Sequence, residues 1–216
     1  MKAFILAAGR GQRLRPLTDT LPKPLLLFKG KPLIVHHIER LASAGFREII
    51  INVSFLAEQI KNHLQNGEKW GVKITYSFEP KALESGGGIF QALPLLGEKP
   101  FLLISADIYT DYPFKKLIHF PKNHVAHLVL APRLDFPADF HLQEDGLLSN
   151  RGKPKYTYAN IGVIDPILFE KQTAGRFPLG PLLREAVEKQ TVTGEIYQGE
   201  WENITTASQY EMLASA

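Results

Sequence analysis

The residues that follow an apolar N-terminal run have types and spacing suited to binding phosphate. They form the segment LAAGRGQRLRPLTDTLPKP, residues 6 to 24. The small residues 7 to 9 let backbone N–H groups approach an anion and form a nest. Arg13 adds a planar, permanently charged group for phosphate oxygens, and prolines on both sides of Lys23 restrict the backbone that presents its ammonium. This combination predicts a phosphate site, and a solvated basic loop is the alternative.

Two well-known phosphate motifs do not fit this segment. Gly9 and Gly11 form G-x-G, but Leu14 stands where a dinucleotide fingerprint requires a third glycine. No Gly-Lys-Ser or Gly-Lys-Thr tripeptide follows, as a Walker loop requires. The sequence therefore disfavours both a Rossmann NAD site and an ordinary P-loop.

Two later segments also have residues that suit a ligand site. Asp107 follows the apolar run PFLLISA, and a carboxylate at the end of a strand is a hard-oxygen ligand for Mg²⁺. The alternative is a turn or N-cap aspartate. Glycines 86 to 88 open a helix after Glu84, where backbone can approach a base or sugar and the Glu84 carboxylate can accept bonds from hydroxyls. A glycine-rich helix start is the alternative there.

The elements that must position these residues alternate between strand and helix. Such β-α-β-α order predicts an α/β fold with a Rossmann-like, mixed but mostly parallel sheet sandwiched by helices, in one domain over residues 1–216. Ligands in such sheets bind at the carboxyl ends of strands. The predicted strands are KAFILA, EIIINV, VKITYSF, PFLLISAD, AHLVLAP, DFHLQ and the end of NRGKPKYTYANIGVI. The predicted helices are PLIVHHIERLASAG, FLAEQIKNHLQNG, GGGIFQALPLLG and GPLLREAVEKQ.

Composition narrows the classes of function. The 216 residues are 44% hydrophobic and 22% charged, as in globular proteins, and a net charge of +3 is too small to argue for nucleic acid. The absence of cysteine excludes disulfides, thiolate metal sites and a cysteine nucleophile, and it favours a cytoplasmic protein. No apolar run approaches the ~20 residues of a spanning helix, so we expect no membrane partner.

The run L-A-A-G-x-G-x-R-L-x-P-L-T followed by P-K-P resembles the signature of the sugar-1-phosphate nucleotidyltransferases. The resemblance covers nearly the whole chain and implies the nucleotide-diphospho-sugar transferase fold. Its other segments are GKPLI at 30–34, ESGGGI at 84–89, SADIYTDY at 105–112, YANIGV at 158–163 and GEW at 199–201.

The resemblance implies a reaction and a set of residues. A phosphate oxygen of a sugar 1-phosphate attacks the α-phosphorus of a nucleoside triphosphate, and pyrophosphate leaves, with Mg²⁺ bridging phosphate oxygens. The implied catalytic residues are Arg13, Lys23 and Asp107. The implied nucleotide-binding residues are Leu6, Ala7, Ala8, Gly9, Gly11, Arg13, Lys23, Asn52, Gly86, Gly87 and Asp107. Glu84, Asp111 and Asn160 are expected to bind the sugar, and Asp107 and Asn203 to hold the metal.

The chain departs from the family pattern at its metal segment. The family has W-x-D-[IV]-G-T there, whereas this chain has WENITT, with Asn203 in place of the aspartate and Thr205 in place of the glycine. An asparagine carbonyl brings no charge, so affinity for Mg²⁺ should fall. Glu202 is adjacent, but strand neighbours point to opposite faces. A non-catalytic binder of nucleotide sugars is therefore a second hypothesis.

Within the family, the chain resembles the branch that joins UTP to N-acetylmuramate 1-phosphate in cell-wall recycling. The resemblance rests on its short length and on the blocks ESGGGIFQALPLLG and D-x-x-T-D-Y. Mannose-1-phosphate guanylyltransferases and glucose-1-phosphate thymidylyltransferases share almost the same motifs and are alternatives. A nucleotidyltransferase acting on a cofactor precursor is a weaker one. The chain ends soon after Tyr210 without hexapeptide repeats, so we expect neither a C-terminal β-helix domain nor acyl transfer.

Overall fold

A seven-stranded sheet runs through a computed structural model that describes residues 1–119 and 123–214. The strands are β1 (Ala3–Leu6), β2 (Leu27–Phe28), β3 (Lys31–Pro32), β4 (Glu48–Val53), β5 (Lys73–Phe78), β6 (Phe101–Ser105), β7 (Ile108–Thr110), β8 (Ala126–Ala131), β9 (His141–Leu142), β10 (Leu148–Ser149), β11 (Thr157–Ile164), β12 (Val192–Ile196) and β13 (Trp201–Asn203). The helices are α1 (Leu33–Ser43), α2 (Ala57–Leu64), α3 (Glu84–Leu96), α4 (Gly180–Glu188) and α5 (Ala207–Ala214). In the described residues, no helix is long and apolar enough to cross a membrane.

The order of strands across the sheet is β12-β8-β11-β6-β1-β4-β5. Strand β1 pairs in parallel with β4 and β6, β4 pairs in parallel with β5, and β12 pairs in parallel with β8. Strand β11 is antiparallel to both β6 and β8. The sheet is therefore mixed and mostly parallel, as the sequence predicts.

Helices cover both faces of this sheet because its central strands are apolar on both sides. In β1, Ala3 and Ile5 pack on the face covered by α1 and α2, whereas Phe4 packs on the face covered by α3 and α4. All three side chains are fully buried. The chain thus forms three layers, helix on sheet on helix, with the carboxyl ends of β1, β4, β5 and β6 at one edge.

Three two-stranded ribbons, β2 with β3, β7 with β13 and β9 with β10, lie outside the main sheet. Their strands have two or three residues each, too few for a periodic pattern in the sequence. The pairing of β13 with β7 sets Asn203 opposite Ile108. Residues from the end of the chain are thereby brought beside the segment that follows β6.

Buried side chains and hydrogen bonds stabilise the conformation of the loop after β1. Leu14 is fully buried against Leu26 and Phe28, which explains why a large apolar residue replaces a third glycine there. Gly11 has φ 68, in the left-handed region, and its carbonyl accepts a bond of 2.8 Å from the Thr18 hydroxyl. A short 3-10 helix, Gln12–Leu14, follows.

Candidate active site

A cavity of about 210 Å³ opens at the carboxyl ends of β1, β4 and β6. This is the edge where the sequence predicts a ligand site. Its lining includes eight of the predicted site residues: Leu6, Ala7, Ala8, Gly9, Lys23, Asn52, Glu84 and Asp107. We call it the first cavity.

Lys23 and Asp107 form an ion pair in the wall of the first cavity. The ammonium Nζ lies 2.8 Å from Asp107 Oδ2, across 84 positions of sequence. The Lys23 side chain is 10% exposed and that of Asp107 is 37% exposed. Lys23 begins a 3-10 helix that follows Pro22, so the stiffened segment directs the ammonium inward. A bound polyanion would therefore meet a positive charge that is already oriented.

Asn52 at the end of β4 connects the loop after β1, which is the predicted phosphate loop, to the segment before α3. Its Oδ1 accepts the Ala7 N–H at 2.6 Å, which fixes the amide so that Nδ2 donates to Glu79 Oε1 at 2.7 Å. Glu79 Oε2 accepts the Leu83 N–H at 2.9 Å. The relay Ala7–Asn52–Glu79–Leu83 thus couples the two backbone segments that line the first cavity.

Glu79 is not among the predicted site residues, although it follows an apolar strand just as Asp107 does. Its side chain is almost fully buried, and burial raises the pKa of the Glu79 carboxyl against the opposing effect of the two bonds it accepts. Gly88 makes room for the relay. A Cβ at position 88 would lie 2.5 Å from Glu79 Oε1 and 2.7 Å from Asn52 Nδ2.

A second cavity of about 320 Å³ adjoins the first and shares Leu6, Ser85 and Ser105 with it. Asn160 and Asn203 line the second cavity. The register of β11 against β8 shifts between Tyr158 and Gly162, and Asn160 has φ 57, so a bulge turns this part of the strand. The Trp201 indole N–H donates to the Ala159 carbonyl at 2.9 Å and holds the bulge against β13.

The side chains of Asn203 and its neighbour Glu202 have different surroundings. Asn203 Oδ1 is buried without a hydrogen-bond partner among the described residues. Glu202 accepts two bonds from the Arg133 guanidinium, at 3.1 and 3.3 Å. The Ile204 N–H donates to the Asp107 carbonyl at 3.0 Å, so Asn203 is beside the Asp107 segment. An amide oxygen from β13 and a carboxylate from the turn between β6 and β7 thus come from neighbouring segments, although Asp107 lines the first cavity and Asn203 the second.

Arg13 is exposed and does not line either cavity. The neighbouring Arg10 and Arg15 both bind the Asp19 carboxylate, at 3.3 and 2.7 Å. In the part of the chain that the structure describes, Arg13 has no ion pair. Among the three arginines of this loop, Arg13 is thus the one whose charge is available to a ligand.

Gly86 and Gly87 pack against residues 175–177 and do not line the first cavity. A Cβ at Gly86 would lie 2.4 Å from Phe177, and one at Gly87 would lie 2.2 Å from the Gly175 carbonyl oxygen. Close packing alone accounts for both glycines, and their contact with a nucleotide stays a prediction.

The remaining predicted residues have partners within the protein. Glu84 lines the first cavity, not the second, and binds Arg176 at 2.9 Å. Asp111 lies outside both linings and accepts a bond from the Tyr197 hydroxyl. Gly11 also lies outside both linings and shapes the loop.

A family model described as nucleotidyl transferase matches residues 2–134, more than half of the chain. The chain belongs to the nucleotidyl transferase family. This nucleotidyl transferase is 44% identical to an N-acetylmuramate alpha-1-phosphate uridylyltransferase of Neisseria meningitidis serogroup B, over 95% of this chain and 94% of the relative. It is 34% identical to a mannose-1-phosphate guanyltransferase of Candida albicans, over 90% of this chain but only 54% of that relative.

Solved structures share the fold of this nucleotidyl transferase. One from Bacillus anthracis, assigned as a glucose-1-phosphate thymidylyltransferase, superposes with a TM-score of 0.87 at 20% identity and covers 100% of this chain and 94% of its own. The predicted family and the predicted fold are both confirmed. This nucleotidyl transferase has no cluster of three or more His, Cys, Asp or Glu suited to a metal ion within its described residues.

Proposed function

We propose that this nucleotidyl transferase joins UTP to N-acetylmuramate 1-phosphate and releases pyrophosphate, as a step in the recycling of cell-wall material. The observation that carries the proposal is the Lys23–Asp107 ion pair, which stands in a cavity lined by the small residues of the phosphate loop. The choice of substrates is supported by the Neisseria relative, whose name states that reaction and whose length this chain spans almost completely.

The two cavities supply one place for each substrate. The first cavity takes the nucleotide, because the phosphate loop and Lys23 line it, and the second takes the sugar 1-phosphate. Leu6, Ser85 and Ser105 line both, so the two reacting phosphates meet at this shared wall. A sugar-phosphate oxygen forms a bond to the α-phosphorus there, and the bond to the β-phosphate oxygen breaks.

The protein's contribution is positioning and charge neutralisation. Backbone N–H groups of residues 8 and 9 hold phosphate oxygens, and the exposed Arg13 folds over the β- and γ-phosphates as a planar donor. Lys23 presents its ammonium to the reacting phosphates from a buried position. Each charge faces the negative charge that develops on pyrophosphate as it leaves.

We further propose that Asp107 and Asn203 would hold Mg²⁺. The donors fit, because one is a carboxylate and the other is a buried amide oxygen with no partner among the described residues. Two protein ligands suffice when substrate phosphates supply the others, as is usual for Mg²⁺. When bound, Mg²⁺ polarises phosphoryl oxygens and neutralises developing charge.

A second candidate function is a non-catalytic binder of nucleotide sugars. It is favoured by the neutral Asn203 and by Thr205, whose N–H and hydroxyl both bind the Gln209 side chain, at 2.8 and 3.1 Å. Such a binder takes up a UDP-sugar without turnover.

The test is a matrix of triphosphates and sugar 1-phosphates with Mg²⁺, read by pyrophosphate release and product mass. The nucleotides are UTP, GTP, dTTP, CTP and ATP, and the sugar 1-phosphates are those of N-acetylmuramate, N-acetylglucosamine, mannose and glucose. We expect UTP with N-acetylmuramate 1-phosphate to give the highest kcat/KM. A folded protein that releases no pyrophosphate with any pair would refute the enzyme proposal, and UDP-sugar binding in that case would favour the binder.

Two variants test whether the activity depends on this site. Lys23→Met and Asp107→Asn should each lower kcat by about 100-fold or more, since the first removes a positive charge aimed at the reacting phosphates and the second removes the charged ligand proposed for Mg²⁺. Lys31→Met is the matched control, because it breaks an exposed ion pair of 2.7 Å with Glu39 that lies outside both linings. Equal activity of Lys23→Met and Lys31→Met would contradict the assigned role of Lys23.

A further inference from the structure

One tyrosine in the lining of the second cavity has a hydroxyl that the described residues leave unsatisfied. Tyr158 lines this cavity, and its Oη is buried with no hydrogen-bond partner among the described residues. Its ring packs beside the apolar cluster between α4 and the sheet. Buried hydroxyls are nearly always paired, because losing water without a replacement is unfavourable. The hydroxyl therefore points to a partner that comes with a ligand.

The position of Tyr158 is fixed independently of its hydroxyl. Its backbone N–H donates to Asp139 Oδ2 at 2.9 Å, and Asp139 Oδ1 binds the Arg184 guanidinium at 3.1 Å. Both oxygens of Asp139 are thus occupied. Burial, with the nearby Asp139 charge, raises the pKa of the Tyr158 hydroxyl above its usual range, so it stays a neutral O–H donor.

The lining of the second cavity limits the chemistry of the group that accepts this proton. None of its described residues is Lys, Arg or His, and Asp139 contributes a carboxylate. The described lining thus offers Tyr158 no neighbouring cation that would hold a carboxylate beside its hydroxyl, so we assign a neutral oxygen as the acceptor. Apolar side chains surround the same space, which suits a small apolar group next to the acceptor. They are Leu103, Phe136, Pro137, Leu179 and Leu183.

We propose that Tyr158 is a specificity-determining residue that selects sugar 1-phosphates bearing an N-acyl group. The hydroxyl donates to the acyl carbonyl oxygen, and the apolar wall contacts the acyl methyl group. A sugar hydroxyl at the same position has neither the carbonyl oxygen that accepts this bond nor the methyl group that contacts the apolar wall. The inference rests on the proposed function, because it needs a sugar 1-phosphate in the second cavity.

The test compares wild type with Tyr158→Phe, which removes the hydroxyl and keeps the ring. Both are assayed with UTP and Mg²⁺ on N-acetylmuramate 1-phosphate, and then on N-acetylglucosamine 1-phosphate and glucose 1-phosphate, which differ at C2 alone. A sugar phosphate that is not turned over is measured by its inhibition constant. Tyr156→Phe is the control, since Tyr156 lies two positions away on the chain and does not line the cavity.

We expect Tyr158→Phe to weaken kcat/KM or binding of both N-acylated sugars by about threefold to tenfold, chiefly through KM, as one neutral hydrogen bond is lost. Glucose 1-phosphate should be unaffected, and Tyr156→Phe should change neither. The melting temperature of Tyr158→Phe should rise by about 2 °C or more, because an unsatisfied group is removed.

Equal losses for N-acetylglucosamine 1-phosphate and glucose 1-phosphate, or no loss for either, would overturn this assignment while leaving the proposed function intact. A wild-type protein that neither turns over nor binds any sugar 1-phosphate would instead overturn the proposed function, and the assignment with it.

Discussion

Replacing Gly9 by alanine should weaken ligand binding while leaving the stability of the fold nearly unchanged. The backbone of Gly9 lies outside the left-handed region, and a Cβ there would have no heavy atom within 4 Å. The methyl group would project from a residue that lines the first cavity. If a phosphate group approaches this backbone to accept its N–H, a methyl group at the same place obstructs that approach.

The expected magnitudes differ sharply between stability and binding. Gly9→Ala should change the free energy of unfolding by less than about 1 kcal/mol, since the new side chain meets nothing and only restricts the unfolded chain. Loss of one hydrogen bond to a charged phosphate is worth about 1.5–3 kcal/mol, which is about a 10- to 100-fold fall in UTP affinity.

Gly11→Ala is the counterpart two residues along the same loop. Its φ of 68 places alanine in the left-handed region, and its Cβ would lie 3.0 Å from Thr18 Cγ2. We expect a loss of stability of about 1–2 kcal/mol. Gly175→Ala is the neutral control, because a Cβ there also meets no atom within 4 Å and the residue does not line either cavity.

The assay is urea unfolding for stability and calorimetric titration of UTP with Mg²⁺ for binding. Wild-type UTP affinity in Gly9→Ala would refute the assignment of the phosphates to this backbone. A loss of stability in Gly9→Ala as large as in Gly11→Ala would refute the packing argument instead.

Three further predictions concern Asn203, Gly88 and His37. Asn203→Asp should lower the Mg²⁺ concentration for half-maximal pyrophosphate release by about tenfold, because a carboxylate adds charge to the ligand set; an unchanged Mg²⁺ dependence would place the ion elsewhere. Gly88→Ala should lower the free energy of unfolding by about 1–3 kcal/mol, since its Cβ would force Glu79 and Asn52 apart. A urea midpoint equal to that of wild type would show that Glu79 and Asn52 can move at no cost in stability. His37 is fully buried, and burial lowers its pKa to about 4 from 6.5. The folded chain therefore takes up that proton less readily than the unfolded chain, so stability should fall by about 3 kcal/mol as pH drops from ~6.5 to ~4. Urea unfolding of wild type and His37→Gln across that range measures this, and equal slopes would contradict it.

The sequence predicts six of the seven strands of the main sheet and helices α1 to α4, because their apolar periodicity is long enough to detect, but it does not predict β12 or α5. It also predicts that Lys23 and Asp107 lie at the same edge of the sheet, since Lys23 is in the loop after a predicted strand and Asp107 directly follows another strand. The structure joins them at 2.8 Å. Local pattern could not predict the ribbon of β7 and β13, because its paired residues are 91 to 95 positions apart and each strand has three residues.

Residues whose role depends on distant partners are those that the sequence predicts least well. The glycine run 86–88 is predicted to open a helix where backbone approaches a ligand, yet two of its members are explained by contact with residues 175–177. The third glycine, Gly88, is required by the buried pair of Asn52 and Glu79. No spacing rule within one helix contains that information, because the obstructing atoms come from other strands and loops.

The neutral Asn203 changes how charge is balanced at the site. Lys23 and Asp107 offset one another, so with an amide at position 203 this set of three side chains has no net charge before substrates bind. A second carboxylate would leave it at −1, which favours a free divalent ion but repels a triphosphate. With asparagine, the attraction for a metal ion must come largely from the phosphates that arrive with it. If the proposed function holds, asparagine at this position should therefore weaken binding of Mg²⁺ alone more than binding of Mg²⁺ together with nucleotide, which is compatible with the proposed reaction because that reaction uses Mg²⁺ and nucleotide together.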